Sequence, residues 1–231
     1  MKRLTLLLTA LVGGLIGAVA MWALGPASTR GDEALVRRTL MAHPEIITEA
    51  MQKLQDRETG RQVAALGRTL TQPVGNAFAG NAKGDVSVVE FFDYNCGYCR
   101  ASLPIVAALV KADPNVRIVY REMPILAETS RAAARASLAA ARQGRWPAFH
   151  DALYTGGRVT NETIAAAAKG AGVDLTAANS SENEAEIDNN LRTAAGLGVT
   201  GTPSWVIGDR VLTGTLPLEE LQRAVTAARA R

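Results

Sequence analysis

The chain reads as an α/β fold with a helical insertion, preceded by an N-terminal helical arm. Three observations carry that reading. Short runs rich in β-branched and aromatic residues stand at Val86–Phe92, Val116–Tyr120, Ser204–Ile207 and Arg210–Thr213. Between them lie Ala- and Leu-rich stretches of helical length and composition. The only two cysteines, Cys96 and Cys99, sit as Cys-Gly-Tyr-Cys where the first of these strands gives way to a helix-like stretch.

Residues 1–29 form the leader. Lys2 and Arg3 precede an uncharged run from Leu4 to Thr29, and Ala18-Val-Ala20 suits a signal peptidase. The run is also long enough to span a bilayer, so the segment is expected to be either a cleaved signal or a membrane anchor. Both readings place the rest of the chain outside the cytoplasm, in the periplasm. Residues 30–72 form the arm. Leu35, Val36 and Leu40, then Ile46, Ile47, Ala50, Met51 and Leu54, recur near helical spacing, and His43-Pro44 divides two helices. This segment has too little apolar surface to fold alone. Its stripe is expected to pack either against another subunit, making a homo-oligomer through residues 31–72, or back on its own domain.

Residues 73–231 form the main domain. After the motif helix and the strand at 116–120, helices are expected at about 130–142, 146–154 and 161–169, separated by Gly144, Gly156-Gly157 and Gly170. These constitute a helical insertion at about 128–180. Ser181-x-x-Glu184 reads as a capping box opening the next helix, which Gly196 and Gly198 stop. Gly208-Asp209 joins two short strands as a hairpin, and Pro217 is expected in the first turn of the last helix.

A Cys-x-x-Cys admits several chemistries: a redox dithiol, half a zinc site, or two buried cysteines together by chance. Zinc needs about four nitrogen or sulfur ligands. The chain offers no second cysteine pair, and His43 and His150 stand outside any ligand-like spacing, so no metal site and no cofactor are expected. The histidines read as surface or core residues. A thiol at a helix start meets unpaired N–H groups and the positive dipole end, which favour thiolate. Cys96 is then the nucleophile. Cys99, one helical turn on, can attack a mixed disulfide and release the substrate.

Three further residues favour redox chemistry. Alternation along the strand puts Val86, Val88 and Glu90 on one face and Val89 and Phe91 on the other, which would bury Glu90 unless the strand lies at an edge. A buried carboxylate has a raised pKa and can exchange a proton with Cys99. Pro104 falls inside the helix after the motif, where it removes one backbone hydrogen bond. Pro203 follows Thr202 directly before a strand, an unusual place for proline unless the chain turns sharply.

These positions resemble the thioredoxin superfamily. Phe91-Phe-Asp-Tyr-Asn-Cys-Gly-Tyr-Cys99 is similar to its DsbA branch, over about residues 73–231, and the arm resembles that of ScsC-type proteins, a branch linked to copper tolerance and disulfide isomerisation. The resemblance implies a thioredoxin fold, with Glu90 as the buried acid, Pro104 as the helix-kinking proline and Pro203 as a cis-proline facing the dithiol. Gly97, Tyr98, Thr202 and Pro203 would then contact substrate. Tyr98 departs from the histidine of the DsbA oxidase, and the Gly-Tyr dipeptide with a Thr-Pro loop resembles the isomerases DsbC and DsbG. Isomerase or reductase is therefore expected ahead of oxidase. The expected partners are unfolded or wrongly disulfide-bonded exported proteins and a membrane redox partner. A copper-binding protein using Cys96 and Cys99 as soft ligands is the competing reading.

The formal charge of +3 falls to about +1 once Lys2 and Arg3 leave, which argues against nucleic acid as a partner.

Overall fold

The computed structural model of the chain describes residues 14–15, 18–19 and 27–230. The leader expected at 1–29 lies almost wholly outside the described residues. Among those described, no helix is long and apolar enough to cross a membrane.

The chain divides into two units, one ending at Leu54 and one running from Gln55 to Arg231. Helix α1 (Ala27–Ala42), in the first, is separated at His43-Pro44 from α2 (Glu45–Leu66), whose residues from Gln55 onward belong to the second. Proline disfavours helical geometry in the residue before it but is tolerated at a helix start, so the break falls where the sequence places it. Leu35, Val36, Met41, Ile47, Met51 and Leu54 are all at least half exposed.

The second unit is built on one five-stranded sheet. Its strands are β1 (Phe78–Gly80), β2 (Val86–Phe92), β3 (Val116–Glu122), β4 (Ser204–Ile207) and β5 (Arg210–Thr213), in the order β1-β3-β2-β4-β5. β2 and β3 run parallel, joined through α4 (Gly97–Ala112), and the other pairs are antiparallel. β2 is therefore the central strand. Between β3 and β4 come α5 (Glu128–Arg142), α6 (Trp146–Thr155), α7 (Asn161–Ala171) and α8 (Ser181–Gly196), and α9 (Leu218–Arg229) closes the chain. The short helix α3 (Arg68–Thr71) precedes the sheet.

Alternation along β2 distributes its side chains between two cores. Val86, Val88 and Phe92 join α4, the helices of the insertion and α9 through Val106, Leu109, Ala136, Phe149, Ile164 and Leu221. Val89 and Phe91 join Leu70 of α3, Ala194 of α8 and Val206 of β4, with Val63 and Leu66 from the end of α2 packed alongside. Arg121 fastens that second layer. Its buried guanidinium donates to the carbonyl oxygens of Thr69, Leu70 and Gln72 and reaches Glu186 of α8 at 2.7 Å.

Two local expectations are corrected. The residue capping α8 is Ser180, not Ser181: its hydroxyl accepts from the Asn183 N–H at 3.3 Å, and its carbonyl accepts from Glu184 N at 3.2 Å. Pro217 is the cap of α9 with extended backbone (φ −60°, ψ 152°), one residue outside the first turn. The hairpin forms as expected, with Gly208 at φ +61°, a conformation that side chains rarely adopt.

Candidate active site

The dithiol sits at the C-terminal end of the central strand. β2 ends at Phe92, and the chain turns through Asp93-Tyr94-Asn95 into α4. The buried Asp93 makes that turn: its side chain accepts from Asn95 N at 2.9 Å and its carbonyl oxygen from Cys96 N at 2.9 Å. Cys96 thereby becomes the cap of α4, its sulfur accepting from the Cys99 N–H at 3.4 Å. Capping positions favour groups that accept from the first free N–H groups of the helix, and a thiolate does so better than a thiol.

Cys96 and Cys99 are both free thiols, 5% and 1% exposed. The Cys96 thiol donates to the carbonyl oxygen of Thr202 at 3.1 Å. The Thr202-Pro203 bond is cis, and the Thr202 hydroxyl oxygen is buried with no partner among the described residues. Gly97 and Tyr98 are exposed at the mouth of the dithiol. No atom lies within 4 Å of where a Cβ on Gly97 would stand, so packing does not demand glycine there. Pro104 lies inside α4.

Glu90 is 2% exposed and stands between Tyr120 of β3 and Trp205 of β4 in the register of the sheet. A central strand, and not an edge, explains its burial. Burial holds its carboxyl well above the usual range, and the charge of Cys96 pushes the same way. Burial also pushes the Cys99 thiol far up, with Glu90 next in importance. The sheet thus gathers Cys96, Cys99, Glu90, Thr202 and Pro203 around one point, with Gly97 and Tyr98 at its rim.

Sequence reasoning missed several residues beside that point. The Asp93 carboxylate also accepts from Ile125 N at 2.9 Å and Leu126 N at 3.0 Å, tying the segment after β3 to the dithiol turn. The Asn95 side chain donates to Ser130 at 2.9 Å and Thr129 at 3.1 Å. The Asp-x-Asn spacing before the cysteines is the only local signal for this turn. Glu122, another buried acid at the end of β3, has its carboxyl raised by burial. His150 is a core residue: its Nδ1 lies 3.0 Å from the Tyr94 hydroxyl, its ring stacks on Trp146 at 4.1 Å, and burial lowers its pKa to about 3. Among the described residues no group of three His, Cys, Asp or Glu side chains is placed to hold a metal ion.

Comparison with known proteins agrees with this geometry. Residues 87–226 match the DSBA-like thioredoxin domain, and residues 33–59 match the copper resistance protein ScsC N-terminal domain. A thioredoxin-like oxidoreductase from Silicibacter pomeroyi is 43% identical, over 71% of this chain and 98% of its own, with a TM-score of 0.68. A linker-deletion variant of ScsC from Proteus mirabilis is 29% identical, over 90% of this chain and 98% of its own, at 0.69. A periplasmic thioredoxin-like protein from Salmonella enterica serovar Typhimurium is 27% identical, over 72% and 97%, at 0.64. Among curated relatives, the Na(+)/H(+) antiporter NhaA 1 of Salinispora arenicola is 30% identical over 158 residues, which are 64% of this chain. The chain spans under a quarter of the length of the curated relatives it matches. The strand-turn-helix dithiol, the buried acid beneath it and the match over most of the second unit together establish that the chain belongs to the DSBA-like thioredoxin domain family.

Proposed function

We propose that the chain is an exported thiol–disulfide oxidoreductase acting on polypeptide disulfides, as an isomerase or reductase ahead of an oxidase. The observation that carries this reading is the pairing of a capping Cys96 under the Thr202 carbonyl with a Cys99 buried beside Glu90. The Cys96 thiolate attacks one sulfur of a substrate disulfide, forming a mixed disulfide and releasing the other sulfur as a thiolate, which takes a proton from water. Glu90 accepts the proton of Cys99, and the Cys99 thiolate then attacks the Cys96 sulfur. The substrate leaves with both sulfurs reduced and the protein keeps the two electrons' worth of oxidation as a Cys96–Cys99 disulfide. In isomerisation a second substrate thiolate displaces Cys96 instead, with no net redox change.

Gly97, Tyr98, Thr202 and Pro203 form the substrate-facing surface. The half-buried Thr202 backbone, which meets the Cys96 sulfur, suits β-like pairing with an extended chain. The uncharged N-terminal run, together with the periplasmic relative, supports export to the periplasm. A membrane redox partner resets the dithiol. The exposed stripe on α1 and the start of α2 supports a homo-oligomer through residues 31–72, and linked dithiols would raise the local concentration of Cys96 near each wrong disulfide. Recovery of activity from scrambled ribonuclease tests the isomerase reading: full-length protein is expected to restore it, and Cys96→Ser to fail. Reduction of insulin without recovery of ribonuclease would leave the reductase reading alone.

A further inference from the structure

The second unit contains a cavity that neither cysteine lines. It measures about 570 Å³, and its largely apolar walls come from Phe78 of β1, Tyr120 of β3, Leu103 and Val106 of α4 and Trp146 of α6. Two adjacent residues of α6 supply its polar chemistry: His150, only 4% exposed, and Asp151, which stands in solvent at the rim. His150 is short of one hydrogen bond. Its Nδ1 meets the Tyr94 hydroxyl at 3.0 Å and its ring stacks on Trp146, while its Nε2 is buried with no partner among the described residues. A buried polar atom left unmet costs about 1–3 kcal/mol, so a group that meets it gains by doing so. Burial lowers the His150 pKa to about 3, and the ring is therefore neutral near pH 7, with one nitrogen donating and the other accepting. A hydroxyl group suits Nε2 in either tautomer, since it can both donate and accept. Asp151 offers the opposite chemistry: its carboxylate makes no ion pair or side-chain hydrogen bond among the described residues.

We propose that this cavity binds small aromatic amines that carry a ring hydroxyl, with the hydroxyl paired to His150, the ring among the apolar walls and the ammonium group at Asp151. Each part of that ligand answers one part of the cavity. A largely apolar space of this size with a few placed polar groups is the usual form of a small-molecule site. Tyr120 and Trp146 favour an aromatic ring through offset or edge contacts, and their faces also attract a nearby cation. The buried end of the cavity calls for an uncharged polar group, because an ion taken there would leave water without a countercharge. The exposed end carries the carboxylate, where an ammonium group keeps part of its hydration and gains the opposite charge. The site is independent of the exchange chemistry at Cys96 and Cys99.

The test titrates the full-length protein calorimetrically with three probes at neutral pH and low salt: tyramine, phenethylamine, which lacks the hydroxyl, and para-ethylphenol, which lacks the ammonium group. Wild type is expected to bind tyramine about tenfold more tightly than either of the others. His150→Phe is expected to bring tyramine and phenethylamine to about equal affinity while keeping the preference over para-ethylphenol. Asp151→Asn, a change at an exposed position, is expected to do the reverse. Ala107→Trp places a large side chain at an exposed position of the cavity lining and is expected to weaken all three probes at least tenfold. Should His150→Phe fail to fold, the Asp151 and Ala107 variants still decide the matter. Wild type that binds none of the probes at millimolar concentration, or all three alike, overturns the proposal, as does tyramine binding that Ala107→Trp leaves unchanged.

Discussion

The Cys96 sulfur lies 3.1 Å from the carbonyl oxygen of Thr202, a residue 106 positions later in the chain. That contact brings together the start of α4 and the loop before β4, the two ends of the thioredoxin fold on either side of the helical insertion. It also leaves the Cys96 sulfur beside the half-buried Thr202, while Cys99 is sealed one turn inside the helix. The two thiols therefore stand in different surroundings.

The first expected outcome concerns which thiol reacts. Burial and the neighbouring Glu90 push the Cys99 thiol far above its ordinary value, so Cys99 stays protonated at neutral pH. Iodoacetamide at near-neutral pH should modify the reduced protein at Cys96, as read by peptide mass mapping. Modification mainly at Cys99 would reverse the roles.

Glu90→Gln should slow exchange and stabilise the fold at once. Burial raises the Glu90 pKa in the folded protein above its unfolded value. The folded state therefore holds a proton that the unfolded state gives up, and stability falls as pH rises through that interval. Glutamine has no proton to lose there. The variant should gain stability relative to wild type at pH 8, with little difference at pH 4, by urea denaturation. Its exchange rate at neutral pH should fall roughly tenfold or more, since Cys99 loses its proton acceptor. Equal rates across pH 5–8 would remove Glu90 from the chemistry.

Asp93→Ala should destabilise the protein by about 2–4 kcal/mol, because three side-chain-accepted backbone bonds, from Asn95, Ile125 and Leu126, are lost together in a buried place. Thermal or urea unfolding measures this. A change under about 0.5 kcal/mol, as at an ordinary surface site, would show that the clamp is not formed.

The dithiol half of this site is legible in the sequence, because its parts are local. Alternation along Val86–Phe92 marks a strand whose one face carries Glu90, and the Cys-x-x-Cys spacing fixes the two thiols one turn apart. What is not legible depends on distant partners. β1, only Phe78-Ala-Gly80, has no alternation to announce it and exists because it pairs with β3 around Ile118. Asp93 finds Ile125 and Leu126 32 and 33 residues away, and Glu122 becomes a buried acid only when the insertion covers it. Adjacent serines at 180 and 181 offer the same chemistry as caps, and only the backbone geometry selects Ser180.

Truncations of the arm should divide at the unit boundary. Removing residues 30–54 should yield a soluble monomer by light scattering if the exposed stripe joins subunits, with loss of scrambled-ribonuclease activity and retention of activity on small peptides. Removing residues 30–72 should in addition destabilise what is left. That deletion takes away the buried Leu70 and the carbonyl oxygens of Thr69, Leu70 and Gln72 that the Arg121 guanidinium uses. An oligomer that persists without residues 30–54 would remove the arm from assembly.

The central claim is that Cys96 forms the mixed disulfide and Cys99 resolves it. Reduced Cys99→Ser and Cys96→Ser proteins are each mixed with a disulfide-bonded polypeptide, quenched in acid and weighed intact by mass spectrometry. Cys99→Ser is expected to accumulate a covalent adduct that dithiothreitol releases, and Cys96→Ser to give none. An adduct on Cys96→Ser, or no adduct on Cys99→Ser, would contradict the assignment.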